Sequence, residues 1–258
     1  MSKFIDKLKK VGQITSQPMG FAQHVSARAK NSNMLIIGLI TSTDTSLAET
    51  AAKVGIDAVA LISTAKIGKD TLQKLSDTLG EIPLGGTISA KEETTQDDDQ
   101  YIDFNLIRDT QVPASQIQDI DKGTILTIDT TWSDSFIRSI DLMPLDAFLI
   151  DLSNKDTFTL ELAINCQRVA LLTQKPIIAY IQPSLGADIM PLLRDVGIKA
   201  IAVDVSESSK NGMLNQLCEN ARALEPKKRK PPERREALLP AATPAASSHV
   251  DEDEEDDD

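Results

Sequence analysis

A chain of 258 residues with 41% hydrophobic residues is long enough to bury one large core. Its formal charge of −12 owes much to the last eight residues, 251–258, which are all acidic. Apolar runs fall short of the roughly 20 residues that span a bilayer, and the N-terminus lacks the apolar core of a signal peptide. We therefore expect a cytoplasmic protein with no transmembrane segment.

The first 32 residues differ from the rest in pattern. Residues 4–14, FIDKLKKVGQI, place Phe4, Ile5, Leu8 and Val11 on one stripe of an amphipathic helix. The preferred interpretation is a helix that plugs the N-terminal mouth of the barrel predicted below. Its lysines form a basic face, so a helix that binds a protein partner or a membrane surface is the alternative.

Residues 33–224 contain eight short apolar runs rich in Val and Ile, a pattern typical of parallel strands buried on both faces. The predicted strands are Met34–Thr41, Ala58–Ser63, Pro83–Ser89, Ile102–Ile107, Thr124–Thr130, Ala147–Leu152, Pro176–Gln182 and Ala200–Val205. The predicted helices are Leu47–Val54, Asp70–Leu79, Asp134–Ile140, Thr157–Leu172, Asp188–Val196 and Gly212–Leu224, with a shorter one within Pro113–Asp119.

This alternation predicts an α/β fold, a (β/α)8 TIM-like barrel, because eight strands with mostly helical crossovers fit into about 190 residues. An open doubly wound parallel sheet is the alternative, since periodicity does not reveal closure. The link between strands three and four contains the polar sequence KEETTQDDDQ at 91–100, so we expect an irregular connection there, and it is a candidate lid.

Two segments of the chain are similar in sequence and form an internal echo. AAKVGIDAVALIS at Ala51–Ser63 matches LRDVGIKAIAVDV at Leu193–Val205, and each runs from a helix end through a glycine into a strand. With these segments the chain resembles the aldolase-type TIM-barrel superfamily. The resemblance implies the barrel fold over most of the chain, and it identifies no activity, because lyases, isomerases, synthases and flavin enzymes share that skeleton.

The composition changes sharply in residues 225–258. A basic cluster, PKKRK at 226–230, is followed by a Pro- and Ala-rich stretch and then by the acidic run. Such a composition cannot bury a core, which predicts a disordered tail. The basic cluster would direct nuclear import only in a eukaryotic host, and the acidic run argues against nucleic-acid binding. The tail is a second candidate for a protein partner.

Active sites of such barrels lie at the carboxyl ends of the strands. Three strands end in aspartate, which predicts that Asp129, Asp151 and Asp204 surround one mouth. They are the candidate catalytic acid and base, and the candidate ligands of Mg²⁺ or another divalent cation. Helix caps or solvated loop acids are the alternatives.

Other polar and aromatic residues near the mouth are candidate ligand-binding groups. Arg108 is the nearby cation, Trp132 offers a stacking surface, and the loops after strands seven and eight are the expected anion site. The full set is Arg108, Asn105, Trp132, Gln182, Ser184, Ser206, Ser208, Ser209 and Lys210. The two cysteines, Cys166 and Cys218, lack metal-ligand spacing and are expected to be reduced core thiols.

Two classes of function are consistent with these residues. One is a lyase or isomerase acting on a small anionic metabolite, which includes phosphorylated compounds. The other is a catalytically inactive barrel that binds a ligand or protein partners, suggested by the lack of Lys, His or Glu at strand ends. A barrel that binds FMN is a third option, since flavin sites depend on backbone contacts.

Overall fold

The computed structural model describes residues 2–12, 32–41, 45–63, 67–88, 100–117, 121–206 and 212–227. In them, eight parallel strands form a closed barrel, with each strand paired to the next and the first paired to the last. The strands are β1 Leu35–Ile40, β2 Ala58–Leu61, β3 Leu84–Ile88, β4 Phe104–Ile107, β5 Gly123–Ile128, β6 Ala147–Asp151, β7 Ile177–Tyr180 and β8 Ile198–Asp204. The predicted (β/α)8 barrel is confirmed. The open sheet is wrong, because it would leave two unpaired edges.

Helices surround the barrel and also occupy one of its ends. They are α1 Lys3–Lys10, α2 Thr45–Val54, α3 Lys69–Leu79, α4 Asp134–Asp141, α5 Leu160–Leu172, α6 Pro183–Asp195 and α7 Met213–Ala223, with a 3₁₀ helix at Ala114–Ile117. None of the described helices combines the length and the apolar character needed to cross a membrane.

The barrel is continuous at strands three and four, where the sequence predicts an irregular connection. Strand β3 pairs directly with β4 from Gly85 and Phe104 through Ile88 and Ile107. Between β4 and β5 the 3₁₀ helix replaces a full crossover helix. Nearly all of the acidic link at 91–100, with its expected lid role, lies outside the described residues, as does the tail beyond residue 227.

The glycines of the internal echo have the conformation that the repeat predicts. Gly55 follows α2 with φ 72°, and Gly197 follows α6 with φ 104°. Both values lie in the region that glycine adopts at low cost, so each glycine ends its helix and turns the chain into the next strand.

Strand residues alternate between two apolar clusters. One cluster lies between the strands and the outer helices, and the other fills the barrel. On β1, for example, Leu35, Ile37 and Leu39 belong to the inner cluster, whereas Ile36 and Ile40 belong to the outer one. This alternation fixes which side chains point into the barrel at each strand end.

Helix α1 closes the end of the barrel where the strands begin. The stripe Phe4, Ile5, Leu8 and Val11 is buried within the inner cluster. Asp103, just before β4, accepts hydrogen bonds from the amides of residues 3 and 4 at 2.8 and 2.9 Å. A carboxylate at a helix N-terminus is favourable because of the unpaired amides and the helix dipole.

Two glycines make room for this helix and its aromatic contact. A Cβ at Gly123 would lie 2.3 Å from Ile5 Cγ1, and one at Gly85 would lie 2.3 Å from Phe104 Cε2. The Phe104 ring in turn packs against the Phe4 ring, with centroids 4.7 Å apart. The seat of α1 is therefore built from residues on β3, β4 and β5.

Candidate functional site at the carboxyl ends of the strands

The end of the barrel opposite α1 carries polar side chains at inward-facing positions. Each of these positions lies an even number of residues beyond an inner-cluster residue of the same strand, so the alternation of the strand points its side chain inward. The inward positions at this mouth include Arg108, Asp129, Asp151, Gln182 and Asp204. The mouth predicted from the sequence therefore has a set of charged and amide groups around it.

The three aspartates make the same local turn. Asp129 Oδ1 accepts the amide of Thr131 at 2.8 Å, and Asp151 Oδ1 accepts the amide of Ser153 at 3.0 Å. Asp204 Oδ1 accepts the amide of residue 206 at 2.7 Å. A carboxylate bonded to the amide two residues ahead ends a strand and starts a loop. The D-x-[TS] spacing of the sequence thus has a structural role at all three strand ends.

Strand register brings two of the carboxylates next to each other. Ile128 of β5 pairs with Ile150 of β6, so Asp129 and Asp151 occupy the next position on adjacent strands. Neighbouring strands lie about 4.8 Å apart, which places the two side chains side by side. Both residues are exposed to solvent. Asp204 is separated from them by β7 and is half-buried.

Tyr180 continues this row and was missed from the sequence. It is the register partner of Asp151, is half-buried, and packs against the inner cluster. Asp129, Asp151 and Tyr180 therefore form one row across β5, β6 and β7. The signal in the sequence was a single hydroxyl-bearing aromatic residue in the otherwise aliphatic run PIIAYI.

The segment after β7 differs from the prediction, because α6 begins at Pro183 rather than at Asp188. Gln182 is its N-cap residue, and the Gln182 side-chain amide donates to Asp156 Oδ1 at 3.4 Å. Ser184 lies exposed in the first turn of α6. The mouth is thus bordered by a helix N-terminus, which favours anions, in place of the predicted loop.

The loop that carries Trp132 is held by α5. The Arg168 guanidinium donates to the carbonyl oxygens of Thr130 and Trp132 and pairs with Asp134. The half-buried Trp132 indole makes an edge contact with the Phe136 ring, with centroids 5.0 Å apart. These contacts fix the position of Trp132 at the rim.

The remaining predicted ligand-binding residues divide into three groups. Asn105 lies in the middle of β4 between the inner-cluster residues Phe104 and Leu106, so alternation places it on the outward face, away from the mouth. Ser206 lies at the mouth, where its hydroxyl donates to Asp204. Ser208, Ser209 and Lys210, which are also predicted to bind a ligand, lie outside the described residues.

A metal site is not preformed in the described part of the chain. No three His, Cys, Asp or Glu side chains come together there in a group that would hold a metal ion. Metal binding by Asp129, Asp151 and Asp204 therefore remains a prediction.

The cysteines lie away from the mouth in the outer cluster. Both are free and buried, and burial raises the pKa of the Cys166 and Cys218 thiols to about 11. They are therefore protonated at neutral pH and do not contribute a nucleophile.

With the fold and the mouth defined, the chain can be compared with known proteins. Neither a protein-family model nor a curated protein matches the sequence. Solved structures do match. A mutant tryptophan synthase alpha-subunit from Pyrococcus furiosus is 11% identical, with a TM-score of 0.54, and the match covers 75% of this chain and 99% of that chain. A second mutant of that subunit gives a TM-score of 0.57 at 10% identity, with the same coverage.

A similar match is (S)-3-O-geranylgeranylglyceryl phosphate synthase from Thermoplasma acidophilum, in complex with its substrate sn-glycerol-1-phosphate. It is 13% identical, with a TM-score of 0.57, and the match covers 87% of this chain and all of that one. At these identities the likeness establishes the fold. The protein has the aldolase-type (β/α)8 barrel fold.

Proposed function

We propose that the barrel is a lyase- or isomerase-type enzyme that binds a small anionic, phosphorylated metabolite at the mouth opposite α1. The observation that carries the proposal is the inward row of Asp129, Asp151 and Tyr180, with Arg108 on the neighbouring strand β4. Carboxylates beside a phenol supply proton acceptors and a donor, and a guanidinium supplies a partner for an anion.

Anion binding has two sources of support at this mouth. Arg108 is exposed at the end of β4, and α6, whose N-terminus favours anions, begins at Pro183, shortly after β7. The Thermoplasma synthase with the same fold binds a glycerol phosphate. A phosphate bound between Arg108 and α6 would lie over the row of Asp151 and Tyr180.

Within this row, Asp151 and Tyr180 have different roles in proton transfer. Asp151, between the other two groups, removes a proton from the bound substrate, and Tyr180 donates one to the neighbouring atom of the same substrate. The substrate is isomerised or cleaved without net loss of protons, and exchange with water resets both groups. Asp129, beside Asp151, is the second proton acceptor of the row.

A second candidate function is a barrel that binds a ligand without catalysis. The observation in its favour is that all three aspartates bond to backbone amides of their own loops. Under this alternative their residue type is explained by turn formation, and only the anion-binding half of the proposal applies. The two functions differ in the effect of a change at Asp151.

Ligand binding is tested first, with sn-glycerol-1-phosphate, inorganic phosphate and a panel of sugar phosphates, each with and without Mg²⁺. A ligand at 100 times its dissociation constant adds about 2.7 kcal/mol of stability, which raises the melting temperature by roughly 5–10 °C at this size. Trp132 is the single tryptophan of the chain, so its fluorescence reports binding at the rim. Arg108→Ala should abolish the shift, whereas Lys74→Ala, an exposed cation on α3, should not.

Catalysis is tested with the compound that binds. Asp151→Asn should retain binding and lower turnover by roughly 10²–10⁴-fold, the usual contribution of a general base. Asp77→Asn, which removes an equal charge from the exposed face of α3, is the control. Full turnover in Asp151→Asn would refute the assigned base. An unchanged melting temperature with every phosphorylated compound would refute the anion-binding mouth.

A further inference from the structure

Exposed apolar side chains are concentrated on one side of the barrel. Among the described residues, seven large hydrophobic side chains are exposed, and six of them lie on α4, on α5 or directly after α4. They are Phe136, Leu142, Met143, Leu160, Ile164 and Leu171. The seventh, Leu192, lies on α6. Such a concentration on a folded chain marks an interaction surface.

The outward face of α5 has a regular spacing. Its exposed positions include Leu160, Ile164, Gln167 and Leu171, which are separated by four, three and four residues. This is the spacing of a coiled-coil seam. Glu161 is the one charged residue on the exposed face of α5, all of which is described. The other charged residue of the helix, Arg168, is bonded to the Trp132 loop of its own chain.

The four-three-four spacing of these residues is the same when it is counted from either end of α5. Two copies of α5 packed antiparallel about a two-fold axis place Leu160 against Leu171 of the second copy, and Ile164 against Gln167. An isologous interface requires this property, since every contact occurs twice with the roles exchanged. A helix that lies on a membrane surface instead carries several Lys or Arg residues on its polar face, which α5 does not.

We propose that this surface binds a second copy of the same chain, forming a two-fold symmetric dimer in which the α5 helices pack antiparallel. The same axis brings the two α4 helices face to face. Phe136, near the start of one α4, then lies opposite Leu142 and Met143, at the end of the other. The interface combines an α5 seam with flanking apolar contacts from α4.

The size of the surface fits this occupant. The six apolar side chains are between 44% and 87% exposed, so each leaves a large part of its surface uncovered in a single chain. A standard interface buries about 800 Å² per partner, and about 65% of a homodimer interface is apolar. Six large apolar side chains on neighbouring helices supply the apolar centre that a homodimer interface of this size requires.

The mass of the full chain in solution tests the proposal. At tens of micromolar, light scattering after size exclusion should give twice the 28.0 kDa mass of the chain. Ile164→Lys places a charge at the centre of the seam, and we expect it to weaken the dimer by roughly 100-fold or more. Leu192→Lys alters an exposed apolar residue on α6 and should leave the dimer intact. A monomer at every concentration would refute the proposal, as would an equal effect of both variants.

The antiparallel orientation is tested by cross-linking. A mixture of Leu160→Cys and Leu171→Cys chains should form covalent dimers with a short bifunctional maleimide, because the two positions meet across the seam. Leu160→Cys chains alone should not, since two copies of position 160 lie roughly 16 Å apart along antiparallel helices. The native thiols are buried and do not compete. Cross-linking of Leu160→Cys with itself would overturn the antiparallel arrangement.

Discussion

The seat of α1 gives the sharpest test of the fold, and Phe4→Ala is the perturbation. The Phe4 side chain is fully buried in the inner cluster and contacts the Phe104 ring. Truncation of a buried phenylalanine costs about 3–5 kcal/mol through lost burial and an unfilled cavity. A domain of this kind is stable by about 5–15 kcal/mol, so the variant should melt roughly 10 °C lower.

Urea unfolding followed by circular dichroism measures this difference. Lys10→Ala is the control, since Lys10 lies exposed on the same helix, and it should change the free energy of unfolding by about 0.5 kcal/mol or less. If Phe4→Ala were as stable as Lys10→Ala, α1 would not be part of the folded core. The inference that it closes the barrel would then be wrong.

Three further measurements follow from groups outside the mouth. Burial raises the pKa of Asp57 above its ordinary 3.8, although a hydrogen bond from a backbone amide acts in the opposite direction. The free energy of unfolding of the wild type should therefore fall as the pH rises from 3.8 through the raised pKa. Asp57→Asn still accepts the hydrogen bond and should remove this fall, as measured by urea titrations above pH 3.8. Arg168→Lys loses bonds to the rim loop, and Trp132 emission should shift to the red. Thiol reagent at pH 8 should label Cys166 and Cys218 only after unfolding, because burial holds the pKa of each thiol at about 11.

The pattern of apolar residues along the sequence predicts most of the architecture. The eight apolar runs of the sequence correspond to the eight strands, because parallel strands are buried on both faces and need Val and Ile throughout. The start of α6 was less accessible. Gly186 lowers the local helix propensity, so the sequence pattern placed the helix start at Asp188, although the helix spans both Gly186 and Pro191. Tertiary packing supports a helix across both residues.

At the mouth, the sequence located strand ends but not the relations between strands. Parity within a strand places Asp129 and Asp151 inward, and it also places Asn105 outward once β4 is known to begin at Phe104. The position of Tyr180 beside Asp151 does not follow from alternation within one strand, because it depends on the pairing of β6 with β7. Register between strands depends on barrel geometry, which no short segment encodes.

The position of α1 has a consequence for the order in which the chain becomes buried. On the ribosome, residues 3–10 are made before the whole barrel, yet Gly123 and Lys199 belong to strands made much later. The Lys199 ammonium donates to Val11 O at 3.4 Å across 188 positions of sequence, and a Cβ at Gly123 would meet Ile5. We therefore expect the apolar stripe of α1 to stay exposed until the strands that bury it have been synthesised. A chaperone that binds short apolar helices would find a target in α1 before these strands are made.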